Sequence, residues 1–394
     1  MQAVILAAGK STRTHPLTLT RPKALLPIAG RPLLSHQLEA LHGIAKEVFI
    51  VVGYKGEMIK KKYSHRYGNI RLTFVQQEEQ LGTGHALMQV QRFLKKRFIV
   101  LYGDDLYSRE DLKQVAKTKW GVLVKEVEDP SRFGIVITEN DKAVEIVEKP
   151  TQDVGNLANA GAFVFTPEIF QSEIGKSMRG EFEITDMFNA IAKKQIITPV
   201  TVKKGWIPIG YPWDVLNANE FLLNEMKGQT IKGSVEKGVV IKGSVKIGRG
   251  TLVKAGTYIE GPVVIGEDCI IGPGAYLRPH TSMGDKCKIG RAEIVDSVLM
   301  DEVNAKHTCY IGHSVVGEGS NIAAGTVTAD YRHDRTNNVT LVNGKKVDSG
   351  RRKLGSFMGD HVHTGINCCI YPGRMIWPGK SVLPGEIVTK NVEE

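Results

Sequence analysis

The first residues that could do chemistry in this 394-residue chain form a short turn of small residues, followed by two cations. The segment LAAGKSTR, residues 6–13, comes directly after an apolar run. Its alanines and glycine let backbone N–H groups approach an anion closely, and Arg13 and Lys23 add cationic donors for phosphate oxygens. The spacing matches neither a Walker loop nor a dinucleotide GxGxxG. The turn is therefore either a phosphate site or, as a glycine-containing turn alone often is, purely structural.

Short apolar runs that alternate with helical stretches must position this turn. The pattern predicts strands over residues 3–8, 48–53, 72–77 and 98–102, and helices over 35–44, 83–94 and 109–118. Such alternation is typical of a mostly parallel sheet with crossover helices, whose ligands gather at the carboxyl ends of the strands. Closely spaced strands from 121 to 165 predict antiparallel additions. A helix over 214–226 closes the domain.

The remainder of the chain carries an internal repeat. An aliphatic residue occupies every sixth position, eleven times in succession: Val235, Ile241, Ile247, Val253, Ile259, Ile265, Ile271, Leu277, Met283, Ile289 and Val295. This period fits a chain wound from short strands and tight turns, with one aliphatic residue per strand pointing inward. We place the domain boundary between residues 228 and 229. A polar, basic stretch at 331–355 interrupts the coil and is interpreted as a projecting loop.

Composition excludes several function classes. The net charge is +10, but six of these charges precede residue 229 and four follow it, so no basic tail or face predicts nucleic-acid binding. Apolar runs fall far short of a membrane span, and the N-terminus lacks a secretory signal pattern, so we expect a cytoplasmic protein without a membrane partner. The five cysteines lack paired CxxC spacing and are expected to be reduced, without zinc.

The first 226 residues resemble the sugar-1-phosphate nucleotidylyltransferase family, whose signature is LAAGxGTR, then PK, a GT pair and a GD pair. Further matches are QEEQLGTGHA (residues 77–86), YGDD, EKP, NAG and GEFEITD, in that order. Ser11 stands where a second glycine is usual. The resemblance implies an α/β nucleotidyltransferase domain that joins a nucleoside triphosphate to a sugar-1-phosphate and releases pyrophosphate, by positioning and charge stabilisation.

The resemblance also implies roles for individual residues. Arg13 and Lys23 would hold the triphosphate and the attacking phosphate, and Asp104 would bind Mg²⁺. The nucleotide would contact Ala7, Ala8, Gly9, Gln77, Gly82, Thr83 and Tyr102, and the sugar Gly134, Glu148, Asn159 and Thr185. Pro208 occupies the position of a second metal ligand in some relatives, so Asp214 is the expected replacement, with a helix-capping role as the alternative. Asp105 and Asp111 are expected on the solvated surface.

The repeat is similar to the left-handed parallel β-helix of hexapeptide acyltransferases, which usually assemble as homotrimers. The segment NAKHTCYIGHSVVGEGSNIAAGTVTADY, residues 304–331, resembles the acetyltransferase motif of bifunctional enzymes that make UDP-N-acetylglucosamine. The resemblance makes His307 the general base that deprotonates the sugar amine for attack on acetyl-CoA. It implies that Tyr310 and Asn321 bind the amino sugar, that Arg278 binds its phosphate, and that Ala324 is a further substrate-binding residue. Val295 replaces a phosphate-binding lysine of the family, and Asp330 replaces an asparagine.

The whole chain resembles the archaeal form of these two-domain proteins. The resemblance implies uridylyl transfer from UTP, with dTTP as an alternative, to N-acetylglucosamine-1-phosphate, and acetylation of glucosamine-1-phosphate. Two alternatives remain open. One is a glucose-1-phosphate thymidylyl- or uridylyltransferase whose coil serves only assembly. The other is a regulatory subunit that binds nucleotide sugars without turnover, although Arg13, Lys23 and Asp104 argue against it.

Overall fold

The computed structural model describes residues 1–177 and 179–393, which divide into two compact units. The first unit contains residues 1–10, 22–25 and 33–208, and the second contains 11–21, 26–32 and 209–394. The domain boundary after residue 228 stays a prediction, because such a division does not locate an independently folding domain. In the described part of the chain, no helix is long and apolar enough to cross a membrane.

A mixed sheet of ten strands forms the centre of the first unit. Four parallel strands lie at its middle, in the spatial order Phe98–Tyr102, Gln2–Ala7, Glu47–Val52 and Ile70–Gln76. The other strands are Arg66–Tyr67, Gly121–Glu126, Gly134–Glu139, Lys142–Glu148, Leu157–Phe165 and Thr198–Thr201. Leu157–Phe165 pairs antiparallel with Phe98–Tyr102. The predicted parallel centre and antiparallel additions are confirmed.

Helices cover both faces of this sheet. They are Leu33–Ala40, Gly56–Lys62, Thr83–Met88, Arg109–Val115 and Ile184–Ala192, with 3-10 turns at Lys23–Leu25, Gln91–Phe93, Pro130–Arg132 and Pro167–Gln171. Ile5 faces a core that includes Leu38, whereas its neighbour Val4 faces a second core that includes Phe188. Because successive strand residues point to opposite faces, one apolar strand feeds both cores. The helix predicted over 83–94 ends early, where Val90 adopts φ −100° and ψ 0°.

The second unit is dominated by a parallel β-helix with three faces. The first face stacks Gln229–Ile231, Val245–Ile247, Val263–Ile265, Thr281–Met283, Val298–Leu299, Val315–Val316, Phe357–Met358 and Met375–Ile376. The second stacks Ser234–Val235, Leu252–Val253, Ile270–Ile271, Lys288–Ile289 and Asn304–Ala305, and later His363–Thr364 and Ser381–Val382. The third stacks Val240–Lys242, Tyr258–Glu260, Tyr276–Leu277, Ala292–Val295, Cys309–Gly312, Val327–Thr328, Cys369–Ile370 and Ile387–Val388. The predicted fold class is confirmed.

The register of the early coils explains the period of six. Val253 lies above Val235 and below Ile271, so three strands complete one coil of eighteen residues. Most of the eleven predicted residues belong to one continuous apolar core. Val235 is 38% exposed because it lies in the first coil, which has a neighbour on one side only.

The prediction that Val295 points into this core is wrong. Leu277 pairs with Ile294 rather than with Val295, so the intervening coil is one residue shorter than those before it. Ile294 takes the inward position, and Val295 is outside the apolar core cluster. Within a strand, a one-residue deletion would turn every following residue to the opposite face. Here the deletion lies in the turn at residues 290–292, so the strand that follows keeps an aliphatic residue in the inward position.

Four further elements accompany the β-helix. They are the helix Asp214–Asn224, the 3-10 turn Thr12–Thr14, the paired strands Pro27–Ile28 and Arg31–Pro32, and the hairpin Val339–Val342 with Lys345–Asp348. The hairpin lies in the basic stretch for which we predicted a projecting loop. Thr340 is buried and its hydroxyl donates to the Gly373 carbonyl, so the stretch is attached to the coil as well as emerging from it.

Candidate active sites

The small-residue turn follows the strand Gln2–Ala7, where this strand ends beside Phe98–Tyr102. Leu6 pairs with Tyr102, and the amide of Gly103 donates to the Leu6 carbonyl at 3.0 Å. A Cβ atom at Gly103 would lie 2.5 Å from that carbonyl oxygen, so only glycine fits there. The approach brings the end of one strand, with Ala8 and Gly9, against the backbone that leads into Asp104.

An ion pair between Lys23 and Asp104 lies in the first unit. The Lys23 ammonium is 3.0 Å from Asp104 Oδ2. The lysine side chain is only 7% exposed, whereas the aspartate side chain is 44% exposed. A buried ammonium requires partners, because removal of its hydration is costly. Lys23 is therefore held in a fixed position, while the Asp104 carboxylate remains accessible from solvent.

Asp105 and Asp111 contradict the expectation of solvated surface positions. Both are buried. Burial and the adjacent charge of Asp104 raise the pKa of Asp105 well above its ordinary value, and Trp206 Nε1 donates to Asp105 Oδ2 at 2.9 Å. Burial also acts to raise the pKa of Asp111, but backbone N–H groups of residues 203–205 bind its carboxylate and lower that pKa. Asp105 is suited to remain neutral, and Asp111 is a structural anion.

The residues predicted to contact the nucleobase lie together. Gln77 is buried, and its amide contacts the Gly82 carbonyl at 3.2 Å and His85 Nδ1 at 2.9 Å. Gly82 has φ +106°, and a Cβ atom there would lie 2.4 Å from the Phe182 carbonyl oxygen. The Thr83 hydroxyl accepts the amide of Ile184 at 3.0 Å. These bonds fix the positions of Gln77, Gly82 and Thr83, which follow the carboxyl end of the strand Ile70–Gln76.

The predicted sugar contacts lie on the antiparallel part of the sheet. Gly134 pairs directly with Glu148, and a Cβ atom at Gly134 would lie 2.9 Å from Glu148 Oε2. Asn159 is buried in the next strand and its Oδ1 accepts the Gly161 amide at 2.9 Å. Thr185 is buried in the first turn of the helix Ile184–Ala192.

Arg179 is a cation of this region that the sequence analysis missed. Its guanidinium lies 3.4 Å from Glu148 Oε1 and 2.8 Å from Glu183 Oε1. Burial tends to lower the pKa of Arg179, but the charges of Glu183 and Glu148 raise it above its ordinary value. Arg179 thus orients Glu148, and the only available signal was its place directly before the GEFEITD motif.

Arg13 and Asp214 belong to the second unit. The exposed Arg13 guanidinium lies 5.6 Å from the centre of the Tyr211 ring. Asp214 is buried, and its Oδ2 accepts the amides of Gly210 at 2.9 Å and Tyr211 at 2.8 Å. These bonds hold the turn that precedes the helix Asp214–Asn224 and are not those of a helix cap, because Asp214 is the first helical residue and both donors lie before it. A metal-binding role for Asp214 stays a prediction.

A cavity of about 380 Å³ opens on the third face of the β-helix. Its lining includes Tyr276, Glu293 and Tyr310, which follow one another in register in three coils, and Thr308. The Tyr310 hydroxyl donates to Asp330 Oδ2 at 2.8 Å. Burial and the Asp330 carboxylate raise the pKa of Tyr310 above its ordinary value, so its phenol stays protonated.

His307 is exposed in the turn directly before this lining. The amide of Gly325 donates to the Thr308 carbonyl at 2.6 Å, so the turn that carries Ala324 stacks on the turn that carries His307. Arg278 lies on the same face and binds Glu293 at 2.8 Å. Asn321 is on the second face, where it bridges Asn304 and His363. The structure thus places Tyr310 in the cavity lining, His307 and Ala324 in stacked turns before it, and Arg278 directly after the strand Tyr276–Leu277, whereas Asn321 lies on the second face.

A buried polar network lies behind Tyr310. His313 Nδ1 is 2.8 Å from Asp296 Oδ2, and His313 Nε2 is 3.3 Å from the Asp330 carboxylate. Arg351 also binds Asp296 at 2.5 Å. The contacts of His313 are internal. They nevertheless tie Asp330, and through it the Tyr310 hydroxyl, to the basic stretch at 331–355.

Three residues nearby could hold a metal ion. Glu220, His280 and Asp296 each offer one ligand atom, and these atoms lie within 4.8 Å of one another. However, the Arg351 guanidinium already neutralises the Asp296 carboxylate, and His280 also contacts Asn224 at 2.8 Å. The contact between His280 and Asn224 attaches the helix Asp214–Asn224 to the β-helix.

Comparison with known proteins extends across the whole chain. Residues 2–225 match the Nucleotidyl transferase family, and residues 259–391 match the GMPPB C-terminal domain family. The bifunctional protein GlmU of Methanocaldococcus jannaschii is 36% identical over 377 residues, which cover 95% of this chain and 91% of the relative. The bifunctional sugar-1-phosphate nucleotidylyltransferase/acetyltransferase of Sulfurisphaera tokodaii is 37% identical over 401 residues, which cover 100% of this chain and 98% of the relative. The chain belongs to this bifunctional family.

A solved structure supports the fold of the nucleotidyltransferase part of this bifunctional family member. UDP-glucose pyrophosphorylase complexed with UDP-glucose aligns with a TM-score of 0.52 and 26% identity, and the match covers 57% of this chain and 98% of that chain. The full-length relatives confirm the predicted resemblance to the archaeal bifunctional family. The roles of the individual site residues are not decided by these matches and stay predictions.

Proposed function

We propose that this bifunctional family member transfers a uridylyl group from UTP to N-acetylglucosamine-1-phosphate and acetylates glucosamine-1-phosphate with acetyl-CoA. In the first reaction, a phosphate oxygen of the sugar-1-phosphate forms a bond with the α-phosphorus of UTP. The bond from this phosphorus to the β-phosphate oxygen breaks, and pyrophosphate leaves with its charge. No proton transfer is needed, so the protein has to align two polyanions and stabilise the leaving group.

The observation that carries this proposal is the buried Lys23 beside the half-exposed Asp104 at the carboxyl ends of the central strands. A fixed ammonium can hold a phosphate oxygen without a large reorganisation of the site. The neighbouring turn of Ala7, Ala8 and Gly9 offers backbone N–H groups, and Arg13 follows it in the chain. Gln77 and Thr83 border the proposed base pocket, and Glu148 and Asn159 the proposed sugar pocket.

Asp104 also fits the chemistry of a magnesium ligand. Mg²⁺ prefers carboxylate oxygens and retains several waters, so it needs an accessible carboxylate near phosphates. Asp104 meets this need with one oxygen on Lys23 and nearly half of its side chain exposed, whereas Asp105 is buried and bound to Trp206. When bound, Mg²⁺ would neutralise charge on the phosphates. Asp214 is a candidate for a second ligand.

In the second reaction, His307 would accept a proton from the amine of glucosamine-1-phosphate. The amine nitrogen then attacks the carbonyl carbon of the thioester, the carbon–sulfur bond breaks, and coenzyme A leaves as a thiol once it is protonated. The adjacent cavity with Tyr310 and Glu293 would hold the amino sugar. Arg278 is already paired with Glu293, so phosphate binding by Arg278 requires that this ion pair opens or is shared.

A substrate screen tests both reactions. Pyrophosphate release is measured with UTP and dTTP against N-acetylglucosamine-1-phosphate and glucose-1-phosphate, and thiol release is measured with acetyl-CoA and glucosamine-1-phosphate. We expect UTP with N-acetylglucosamine-1-phosphate to be preferred. A preference for dTTP with glucose-1-phosphate would support the thymidylyltransferase alternative, and absence of turnover with every pair would support the regulatory one.

A variant pair tests the assignment of the acetyl-transfer base. His307→Ala should reduce thiol release at least a hundredfold and leave pyrophosphate release within twofold. The matched control is His65→Ala, which removes another exposed histidine from a different part of the chain and should change neither reaction. A second candidate function is nucleotidylyl transfer alone, with a coil that has no acetyltransferase activity. The departures from the family pattern at Val295 and Asp330 favour this candidate. Undetectable thiol release from the unmodified chain would establish that candidate.

We further propose a homotrimer assembled through the β-helix. Light scattering should then report about three times the 43.3 kDa mass of one chain. A mass equal to one chain would contradict this part of the proposal and would leave the two reactions to be judged from the screen.

A further inference from the structure

The loop from Ser11 to Arg21, which carries Arg13, is fixed to two adjacent coils of the β-helix. All of the residues concerned belong to the second unit, so the loop and the coils pack in one compact body. The loop begins at the end of the small-residue turn and runs back to Lys23. Its position therefore decides where the Arg13 guanidinium is presented.

The first attachment is an ion-pair cluster around Arg21. One guanidinium nitrogen of Arg21 lies 2.9 Å from Glu318 Oε2 and 2.6 Å from Asp360 Oδ2. The Arg21 side chain is 13% exposed and that of Asp360 is 9% exposed. Asp360 Oδ1 also accepts the amide of Glu318 at 2.9 Å, so the two acidic residues are held against each other between two adjacent coils. Because the pair is largely removed from water, loss of one partner leaves a poorly solvated charge.

The second attachment is a row of aromatic rings beneath Arg13. The guanidinium lies over the Tyr211 ring, which stacks on Trp213 at 4.6 Å between centroids and 7° between planes. Trp213 is buried and lies 6.4 Å from the ring of Phe357. Phe357 begins the strand Phe357–Met358, which leads directly into Asp360. Both ends of the loop are thus connected to the coil of Phe357: Arg21 binds Asp360, and Arg13 is linked to it through the rings of Tyr211 and Trp213.

The interior of the loop is rigid between these attachments. The Ser11 carbonyl accepts the Thr14 amide at 3.1 Å and the hydroxyls of Thr14 at 2.7 Å and Thr18 at 2.9 Å. Leu17 is buried, and its amide donates to the Thr14 carbonyl at 3.1 Å. A displacement at Arg21 would therefore be transmitted to the backbone that carries Arg13, since the loop has little freedom to absorb it.

We propose that Arg21, held by Asp360 and Glu318, is a positioning residue for Arg13, so that the β-helix takes part in nucleotidylyl transfer. This inference rests on the proposed function, in which Arg13 binds phosphates of the substrates. The β-helix then has a role in the first reaction that is separate from acetyl transfer and from assembly. Arg21 itself contacts carboxylates and is not assigned to the substrate.

The test compares Arg21→Gln and Asp360→Asn with the control Arg249→Gln in the full chain. Arg249 forms an ion pair with Glu267 on the same β-helix, but both side chains are largely exposed, so its loss should have little effect. We expect Arg21→Gln and Asp360→Asn to lower kcat for pyrophosphate release at least tenfold, with less than a twofold change in KM for the sugar-1-phosphate and in acetyl transfer. The control should remain within twofold in every assay.

A double variant separates positioning from a general loss of structure. If Arg21 acts through Arg13, Arg13→Ala with Arg21→Gln should be no slower than Arg13→Ala alone, within twofold. A rate reduced by the product of the two single effects would overturn the inference, and so would a rate for Arg21→Gln within twofold of the unmodified chain. If Arg21→Gln does not fold, Asp360→Asn and the conservative Arg21→Lys replace it in the same cycle.

Hydrogen exchange provides a readout that does not depend on turnover. Amides in residues 11–21 should exchange at least tenfold faster in Arg21→Gln and unchanged in Arg249→Gln. Unchanged exchange in both variants would contradict the attachment even if rates fell. If the unmodified chain releases no pyrophosphate but the exchange result is as expected, the proposed function fails and the attachment of the loop by Arg21 stands.

Discussion

Adjacent aspartates in opposite surroundings allow a matched perturbation of the proposed nucleotidyltransferase site. Asp104 is 44% exposed and paired with Lys23, whereas Asp105 is 5% exposed and accepts the Trp206 indole N–H. Asp104→Asn and Asp105→Asn make the same chemical change one residue apart. We expect the first to abolish most transfer and the second to retain it, because only Asp104 is presented to substrate and metal.

The structure sets the expected magnitudes. Loss of a metal-binding carboxylate should slow pyrophosphate release at least a hundredfold, which corresponds to about 2.7 kcal/mol in the activation free energy. Because Asp104 is a partner of the buried Lys23 ammonium, its replacement should also lower the free energy of unfolding, by about 1–3 kcal/mol. An asparagine at position 105 can still accept the Trp206 N–H, so kcat of Asp105→Asn should stay within about threefold.

Asp105 should also produce a pH dependence of stability with a definite sign. Its pKa is raised in the folded state, so above about pH 4 the unfolded chain releases a proton that the folded chain retains. The group then destabilises the fold as pH rises, by about 1.4 kcal/mol per pH unit up to the folded pKa. Asp105→Asn removes this term, so its stability relative to the unmodified chain should increase with pH.

Guanidinium unfolding at pH 5, 6 and 7 measures this difference, with pyrophosphate release assayed on the same preparations. The stability of the chain with Asp105→Asn, relative to the unmodified chain, should increase as pH rises towards the folded pKa of Asp105. A relative stability that does not change from pH 5 to pH 7 would show that Asp105 is already ionised in the fold. Equal loss of turnover in both folded variants would refute the separate roles of the two carboxylates.

Three other perturbations follow from local surroundings. Iodoacetamide at pH 8 should label the exposed Cys369 first, while burial, which raises the pKa of Cys309 to about 12, should leave that thiol unmodified in mass spectra. Ser11→Gly should raise the melting temperature, because Ser11 has φ +53° and a left-handed residue other than glycine costs about 1 kcal/mol; an unchanged or lower temperature would contradict this strain. Ile259→Ala should lower the free energy of unfolding by about 2–5 kcal/mol, whereas Ile270→Ala, at an exposed position, should change it by less than about 1 kcal/mol; similar losses would contradict the inward assignment.

The sequence was sufficient for the features that repeat or alternate. Apolar strands separated by helices predicted the parallel centre of the sheet, because an apolar strand such as Gln2–Ala7 requires cover on both faces. The period of six predicted the β-helix, because each inward aliphatic residue stacks on the next. Motifs at Lys23 and Asp104 marked residues that the structure joins in one ion pair.

Features that depend on contacts between distant segments were not predictable. Asp105 and Asp111 are aspartates, a residue type that is usually exposed. Their burial is possible because Trp206 and the backbone at 203–205 bind their carboxylates. The shorter coil at Ile294 could not be read from a pattern in which Val295 still fits the period. The attachment of Arg21 to Asp360 joins residues more than three hundred positions apart, and no local signal indicates it.

The register of the β-helix limits how its length can change in evolution. A duplication of eighteen residues, such as the stretch from Val235 to Leu252, would add one complete rung and leave every aliphatic side chain above another. The shortened coil before Ile294 accommodates its single-residue deletion at a corner. His307 and Tyr310 occupy one corner and the strand after it. Rungs could therefore be gained or lost at either end of the ladder without separating these two residues.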